Sequence, residues 1–248
     1  MLAGQNLLVA ALIPSSDTWK AKMGMSVVGM TAYFYCTPVW KGCPQALMFK
    51  NKRGSILPQL RQQMVKEVLE QGVTHILFID SDQCFDPDIL HRLLAWEKPI
   101  VACNVATKSF PTHPTARLEG HQVVYTTPTS PACKPVWRVG CGIMLVEAWV
   151  FSRLEKPWFD LTWLPEVEDF QGEDWYFCQK AQAAGIEVCV DHRASIAVGH
   201  VGDYVYTHKD VWESLNDNTK SGAVSDSDGL QRDLGAVDTS EPDAIRLA

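Results

Sequence analysis

Four short apolar runs constrain most strongly what this chain can fold into: LLVAALIP ending at Pro14, VTHILFID (73–80), KPIVACNVA (98–106) and IEVCVD (186–191). Each is short for a helix and too continuously apolar for a strand with one wet face. Each therefore predicts a strand covered on both sides. Such strands need helices as their cover, and the sequence supplies them. Leu57, Leu60, Met64, Val65, Val68 and Leu69 line one face over 57–71, and Gly72 is a natural stop. Asp86 and Pro87 predict the N-cap and first residue of a helix reaching about Trp96. GEDWYFCQKAQAAG (172–185) predicts a second well-bounded helix, again closed by glycine, and Glu147–Leu154 a third after VGCGIMLV. A short strand is expected near Ala46–Phe49, and a mixed apolar segment runs to about Cys36. The Pro- and Thr-rich middle, about 107–140, predicts loops with short antiparallel strands (HQVVYTT, CKPVWRV). The layout is α/β and doubly wound.

At 248 residues, 46% hydrophobic and 21% charged, the chain can bury a core without disulfides or a structural metal. Its net charge of −7 argues against a general basic surface for nucleic acid. The acidity is uneven, however. From Asp217 onward seven acidic residues face three basic ones, a net of −4, which leaves −3 for residues 1–216. After Leu215 the residues turn polar and small, so the expectation is one domain over 1–215 and an acidic, disordered tail over 216–248. The eight cysteines show no C-x-x-C and no zinc-ligand spacing, which points to a reduced, cytoplasmic protein (in a host cytoplasm if a phage encodes it). No apolar run is long enough to span a membrane. The N-terminal run lacks a basic segment before it, the first lysine being Lys20, and reads as a strand rather than a signal peptide.

The string FIDSDQCFDPD carries the chemistry. Asp80 and Asp82 stand one residue apart at the carboxyl end of a buried strand, where extended backbone turns both carboxylates the same way. Ligands of open α/β sheets gather at such ends, and two acids there can hold a divalent cation and, through it, a diphosphate. The alternative is that they only turn and cap the chain. Glu173 and Asp174 open their helix, where the macrodipole favours an ionised acid; they either do chemistry or merely complement that dipole. Gly140 and Gly142 flank Cys141 and permit close backbone approach to a ligand, or a β-bulge. His200, by itself, reads as a loop histidine.

Four stretches occur in a telling order: RGSILPQLR with Arg61, FIDSDQCFDPDIL, VGCGIMLVEAWVFSRLEKPWF, and GEDWYFCQKAQAAGIEVCVDHRASIAVGHVG. Over about residues 5–203 the chain thereby resembles the nucleotide-sugar-dependent glycosyltransferases of the GT-A fold, particularly the family 2-like inverting group and its compact bacterial and phage members. The resemblance implies a single GT-A (Rossmann-like) domain with a mixed, mostly parallel sheet flanked by helices. It implies Asp80 on the ribose or base side of the donor, Asp82 and His200 as metal ligands, and Asp174 as catalytic base with Glu173 beside it. Pro14, Arg61, Lys108, Gly140 and Gly142 would complete the donor site. The cofactor implied is a divalent metal, Mn²⁺ ahead of Mg²⁺ because an imidazole joins the oxygens. The donor implied is a nucleoside diphosphate sugar, a UDP-sugar first. The acceptor is the hydroxyl of a glycan, a small molecule or a hydroxymethylated base of phage DNA; Trp40–Lys41 with Lys50, Lys52 and Arg53 could line a nucleic-acid groove. The Q-x-x-R-W signature of processive synthases does not follow the acidic helix, so a single transfer is expected. Two other readings stay open: a nucleotidyltransferase, although ALIPSSDTWK lacks the glycine-rich loop, and a non-catalytic sugar-nucleotide or glycan-binding module. Of the nine tryptophans, Trp137, Trp158, Trp163 and Trp175 flank the catalytic stretches and either stack on a ring or fill the core.

Overall fold

A computed structural model describes residues 6–165 and 168–221. Strand β1 (Leu7–Ser15) is flanked by two parallel neighbours, β2 (Gln45–Arg53) and β3 (His75–Ile79). The crossovers between them are helices α1 (Ala21–Cys36) and α2 (Leu57–Leu69). After a two-residue strand β4 (Gln83–Cys84) come α3 (Ile89–Leu94), β5 (Ile100–Ala102), β6 (Cys133–Pro135), β7 (Ile143–Glu147) and α4 (Trp149–Arg153). The hairpin β8 (Thr162–Leu164) and β9 (Asp169–Gln171) leads into α5 (Glu173–Ala183). Then follow β10 (Val188–Asp191), α6 (His192–Ile196), β11 (Gly199–Val201), β12 (Val205–Tyr206) and α7 (His208–Ser221).

The main sheet has seven strands in the order β2-β1-β3-β7-β5-β10-β6. β7 runs antiparallel to both β3 and β5, and β6 antiparallel to β10. The expected mixed, mostly parallel sheet between helices is therefore the one observed. Its pleat sorts side chains into two cores. Ala10 and Leu12 of β1 join Ile76 and Phe78 of β3 and Met64, Val65 and Val68 of α2 on one face. Val9, Ala11 and Ile13 join Leu77, Ile79 and the inner residues of α1 and α3 on the other. A second sheet, β12-β11-β4, sits at the carboxyl end of β3.

Several local expectations need correction. The mixed apolar segment before Cys36 is helix α1, which buries Met23, Val27, Met30 and Phe34. Its outer face also carries Met25, Val28 and Tyr35, so the apolar period is blurred in the sequence. α3 begins at Ile89, with Asp88 as N-cap; Asp86 and Pro87 lie in the preceding turn, where the Asp86 carbonyl accepts the Ile89 N–H. HQVVYTT forms no named strand, only an isolated pairing of Arg117 with Val123 after a turn of 3-10 helix at Glu119–His121. Helix α7 continues to Ser221, past the boundary expected at 215. The rest of the proposed tail lies outside the described residues. Among those residues there is no disulfide, and no helix is long and apolar enough to cross a membrane.

Candidate functional site

The end of β3 is fixed by Asp80, whose N–H donates to the Gly142 carbonyl at 2.9 Å. The chain then turns into β4, where Gln83 pairs with His200 of β11 and the Asp82 carbonyl accepts the Val201 N–H at 2.7 Å. This short pairing delivers His200 to Asp82: its Nε2 lies 3.3 Å from Asp82 Oδ1. The other ring nitrogen, Nδ1, is 2.8 Å from the Ala106 carbonyl. A carbonyl only accepts, so Nδ1 carries a proton and Nε2 of the neutral ring turns its lone pair to the carboxylate. Two acceptors so placed need a cation between them or a second proton on the ring. Adjacent ligands of an octahedral ion with bonds of about 2.1 Å stand about 3 Å apart, so the pair suits a divalent metal. Lys108 holds the other oxygen of Asp82. Burial works against the Asp82 charge, but hydrogen bonds from His200, when its Nε2 carries the second ring proton, and from Lys108 outweigh it and bring the pKa down to about 2. Among the described residues no group of three or more His, Cys, Asp or Glu is placed to hold a metal.

Arg61 reaches into the site from α2 and is 1% exposed. Its Nη2 donates to Asp80 Oδ1 at 2.8 Å and its Nε to Glu173 Oε1 at 3.2 Å. One guanidinium thus ties the end of β3 to the start of α5, with the Phe78 ring below it. Burial alone would lower its pKa; Asp80, then Cys141, Glu173 and Asp174, more than reverse this, so its charge is permanent.

Asp174 stands in the first turn of α5. Its Oδ1 accepts the Trp175 N–H at 2.7 Å, and its Oδ2 lies 3.4 Å from where a Cβ on Gly140 would stand. A Cβ on Gly172 would be 2.9 Å from Oδ1, so that glycine lets the backbone pass the carboxylate. Burial, then the neighbouring Glu173 charge, raise the Asp174 pKa to about 6 against the pull of Arg61. The helix N-terminus was expected to favour the ionised form; desolvation and a like charge outweigh it. A carboxylate poised near neutral pH is what a general base requires.

Other expected residues fall nearby in different ways. The β1–β3 register pairs Leu12 with Phe78, which puts Pro14 level with Asp80 two residues further on. Asn51, which no sequence pattern singles out, braces that end of β1 by donating to the Ile13 carbonyl and Ser15 Oγ. Trp158 belongs to the core, its indole N–H donating to the Phe151 and Leu154 carbonyls. Trp137 and Trp175 sandwich the Arg138 guanidinium at 4.0 and 4.1 Å. Trp163 alone of the four is exposed, edge-on to Phe170 on the hairpin that runs into α5. Lys50 and Lys52 both pair with Glu67, and Arg53 with Asp17. His192 and His208 are buried structural histidines, against Thr126 and the Asn104 carbonyl respectively. The sequence also gave no sign of Gln83 or Thr115 beside Gly142 and Gly140, because both depend on how distant loops meet.

No family model matches the sequence, and no curated protein matches it. Solved structures do. A197 from STIV is 13% identical, covers 82% of this chain and 91% of its own, and superposes with a TM-score of 0.55. A Drosophila β-1,4-galactosyltransferase 7 variant in complex with manganese, UDP-Gal and xylobiose is 15% identical, with coverage of 79% and 71% and a TM-score of 0.45. A glycosyltransferase involved in glycosylation of the major capsid of PBCV-1 is 12% identical, with coverage of 61% and 69% and a TM-score of 0.31. At such identities the likeness is one of fold alone, and the first of the three carries it. With the strand order described above, the chain has the GT-A type of fold.

Proposed function

We propose that the chain is a metal-dependent glycosyltransferase, moving one sugar from a nucleoside diphosphate sugar to an acceptor hydroxyl with inversion and without processivity. One observation carries this reading. Asp80 and Asp82, His200, Arg61 and Asp174 come from separate segments and converge at the carboxyl end of β3, beside the bare backbone of Gly140 and Gly142. Asp82 and His200 would hold the cation, Mn²⁺ ahead of Mg²⁺, and the diphosphate would supply its further ligands. A bound divalent cation supplies Lewis-acid stabilisation of the leaving diphosphate. Lys108 gives the phosphates a second positive charge, while Pro14 and Asp80 face the nucleoside, UDP first among donors. Asp174 Oδ2, free of backbone hydrogen bonds, takes the proton from the attacking hydroxyl. Glu173 is held by Arg61 and keeps the guanidinium in place.

The exposed Trp163–Phe170 pair, next to Asp174 in the chain, offers flat faces for a glycan or small cyclic acceptor. In the basic stretch considered for a DNA groove, Lys50 and Lys52 share Glu67 and Arg53 meets Asp17, while Lys41 makes no ion pair among the described residues. A cytoplasmic setting is part of the same proposal, since the cysteines form no disulfide among the described residues.

The test is thermal stabilisation by nucleotide sugars in the presence of Mn²⁺. A donor at a hundred times its Kd adds about 2.7 kcal/mol to the folded state. The Mn²⁺-dependent part of that shift should vanish in Asp82→Ala. An undiminished shift in the variant overturns the metal assignment, and no shift with any nucleotide sugar overturns the function.

A further inference from the structure

Three polar atoms around the glycine loop are buried without a hydrogen-bond partner among the described residues: Arg61 Nη1, Gln83 Oε1 and Thr115 Oγ1. Native proteins rarely leave such atoms unpaired, because each forfeits its hydration and gains nothing in return. Gln83 is 1% exposed, and it is the amide oxygen, Oε1, that has no partner. The glycines explain how these groups come together. A Cβ on Gly142 would stand 3.3 Å from the Gln83 Nε2 and 3.1 Å from Val105, so the bare Cα lets the amide close in. A Cβ on Gly140 would stand 3.4 Å from both Thr115 Oγ1 and Asp174 Oδ2. The loop therefore presents the Gln83 amide at one glycine, and the Thr115 hydroxyl with the candidate base at the other. Arg61 stands beside them between Asp80 and Glu173.

We propose that Gln83 and Thr115 read the hydroxyl groups of the transferred sugar, and that this sugar is an uncharged hexose. The inference rests on the glycosyl-transfer reading above and adds the chemistry of the donor's sugar to it. A sugar hydroxyl both donates and accepts, so it satisfies an amide oxygen and a threonine hydroxyl at once. The electrostatics favour a neutral ring. Asp80, Glu173 and Asp174 lie around Arg61, and a second buried guanidinium, Arg138, feels Asp174 from between Trp137 and Trp175. Three carboxylates against two cations still leave a sugar bearing its own carboxylate facing net negative charge. A further cation, Lys108, is held at Asp82.

The test compares binding of UDP, UDP-glucose, UDP-galactose and UDP-glucuronate, with GDP and dTDP and their glucose conjugates alongside, by calorimetry in Mn²⁺. The variants are Gln83→Met and Thr115→Val, close in size to the parent residues and without the orphaned atom. Each should keep the affinity for the nucleoside diphosphate and lose about tenfold for its neutral hexose conjugate. The ligand-free variants should melt no lower than the parent, since an unpaired polar atom has been replaced by an apolar one of similar shape. UDP-glucuronate should bind the parent no better than UDP does. Unchanged hexose binding in both variants overturns the proposal. So does an equal loss for nucleoside diphosphate and conjugate with a lowered melting point, which marks a structural role. Tighter binding of the glucuronate than of both neutral sugars overturns the uncharged assignment. If the parent binds none of the nucleotides, the glycosyl-transfer reading itself falls, and this inference with it.

Discussion

Asp174 is held by one oxygen and idle at the other, and its behaviour with pH follows. Its pKa of about 6, raised by burial and then by Glu173, lies above the ordinary 3.8. As a base it must be ionised, so transfer should rise with pH through about 6. Asp174→Asn should keep donor affinity and lose about 10²–10⁴-fold in transfer rate, measured as product formed per enzyme in single turnover. Transfer near the parent rate excludes Asp174 as base. Stability should move the opposite way. A folded pKa above the unfolded one contributes stability that is full below the unfolded value and lost as pH rises through the folded one. The asparagine variant should therefore be more stable than the parent at about pH 8, on the order of 1–3 kcal/mol, with the gain fading toward about pH 4. Denaturant titrations at both pH values check the sign.

Between elements, two contacts decide whether the site exists. Arg61 joins α2 to the end of β3 and the start of α5. Arg61→Met leaves two carboxylates facing each other without their cation and should cost about 3–5 kcal/mol in urea unfolding. Arg61→Lys should fall between, because a point charge cannot span both partners as a guanidinium does. The second contact is β4 with β11, packed so closely at Gly199 that a Cβ would lie 2.7 Å from Val205 Cγ1 and 2.9 Å from Cys84 Sγ. Gly199→Ala should cost about 1–3 kcal/mol and move His200 away from Asp82. Its Mn²⁺ affinity should drop while the circular dichroism spectrum stays native. Unchanged Mn²⁺ affinity would separate His200 from the metal. Neither contact shows in local sequence patterns. The period of α2 marks Leu60, Met64 and Val68 as core but says nothing of Arg61, a charged residue buried just as deeply.

At the scale of the whole molecule, part of the positive charge of the described body is neutralised. Lys50 and Lys52 share Glu67, Arg53 meets Asp17, and Arg138 lies between two indoles, while Lys20, beside Ser81, makes no ion pair among the described residues. Duplex DNA should therefore be bound weakly and without the steep salt dependence of many phosphate contacts; tight, salt-sensitive retention on a DNA column would return the acceptor question to a modified base. The net charge of −7 bears less on this than its distribution does, since more than half of it falls from Asp217 onward.

What the sequence determined by itself was local. Continuous apolar runs placed the buried strands β1, β3, β5 and β10, because burial on both faces leaves no room for polar residues. Asp80 and Asp82 at a strand end, and Glu173 and Asp174 at a helix start, were legible for the same reason: each pair is fixed by its own backbone. Only the tertiary structure decided the rest. It turned β7 antiparallel between β3 and β5, carried His200 to Asp82 through β11, set Arg61 between Asp80 and Glu173, and left Gln83 Oε1 and Thr115 Oγ1 buried without partners. Those outcomes depend on which strand lies beside which, and on where a glycine lets two distant backbones touch. Residue spacing along the chain carries neither.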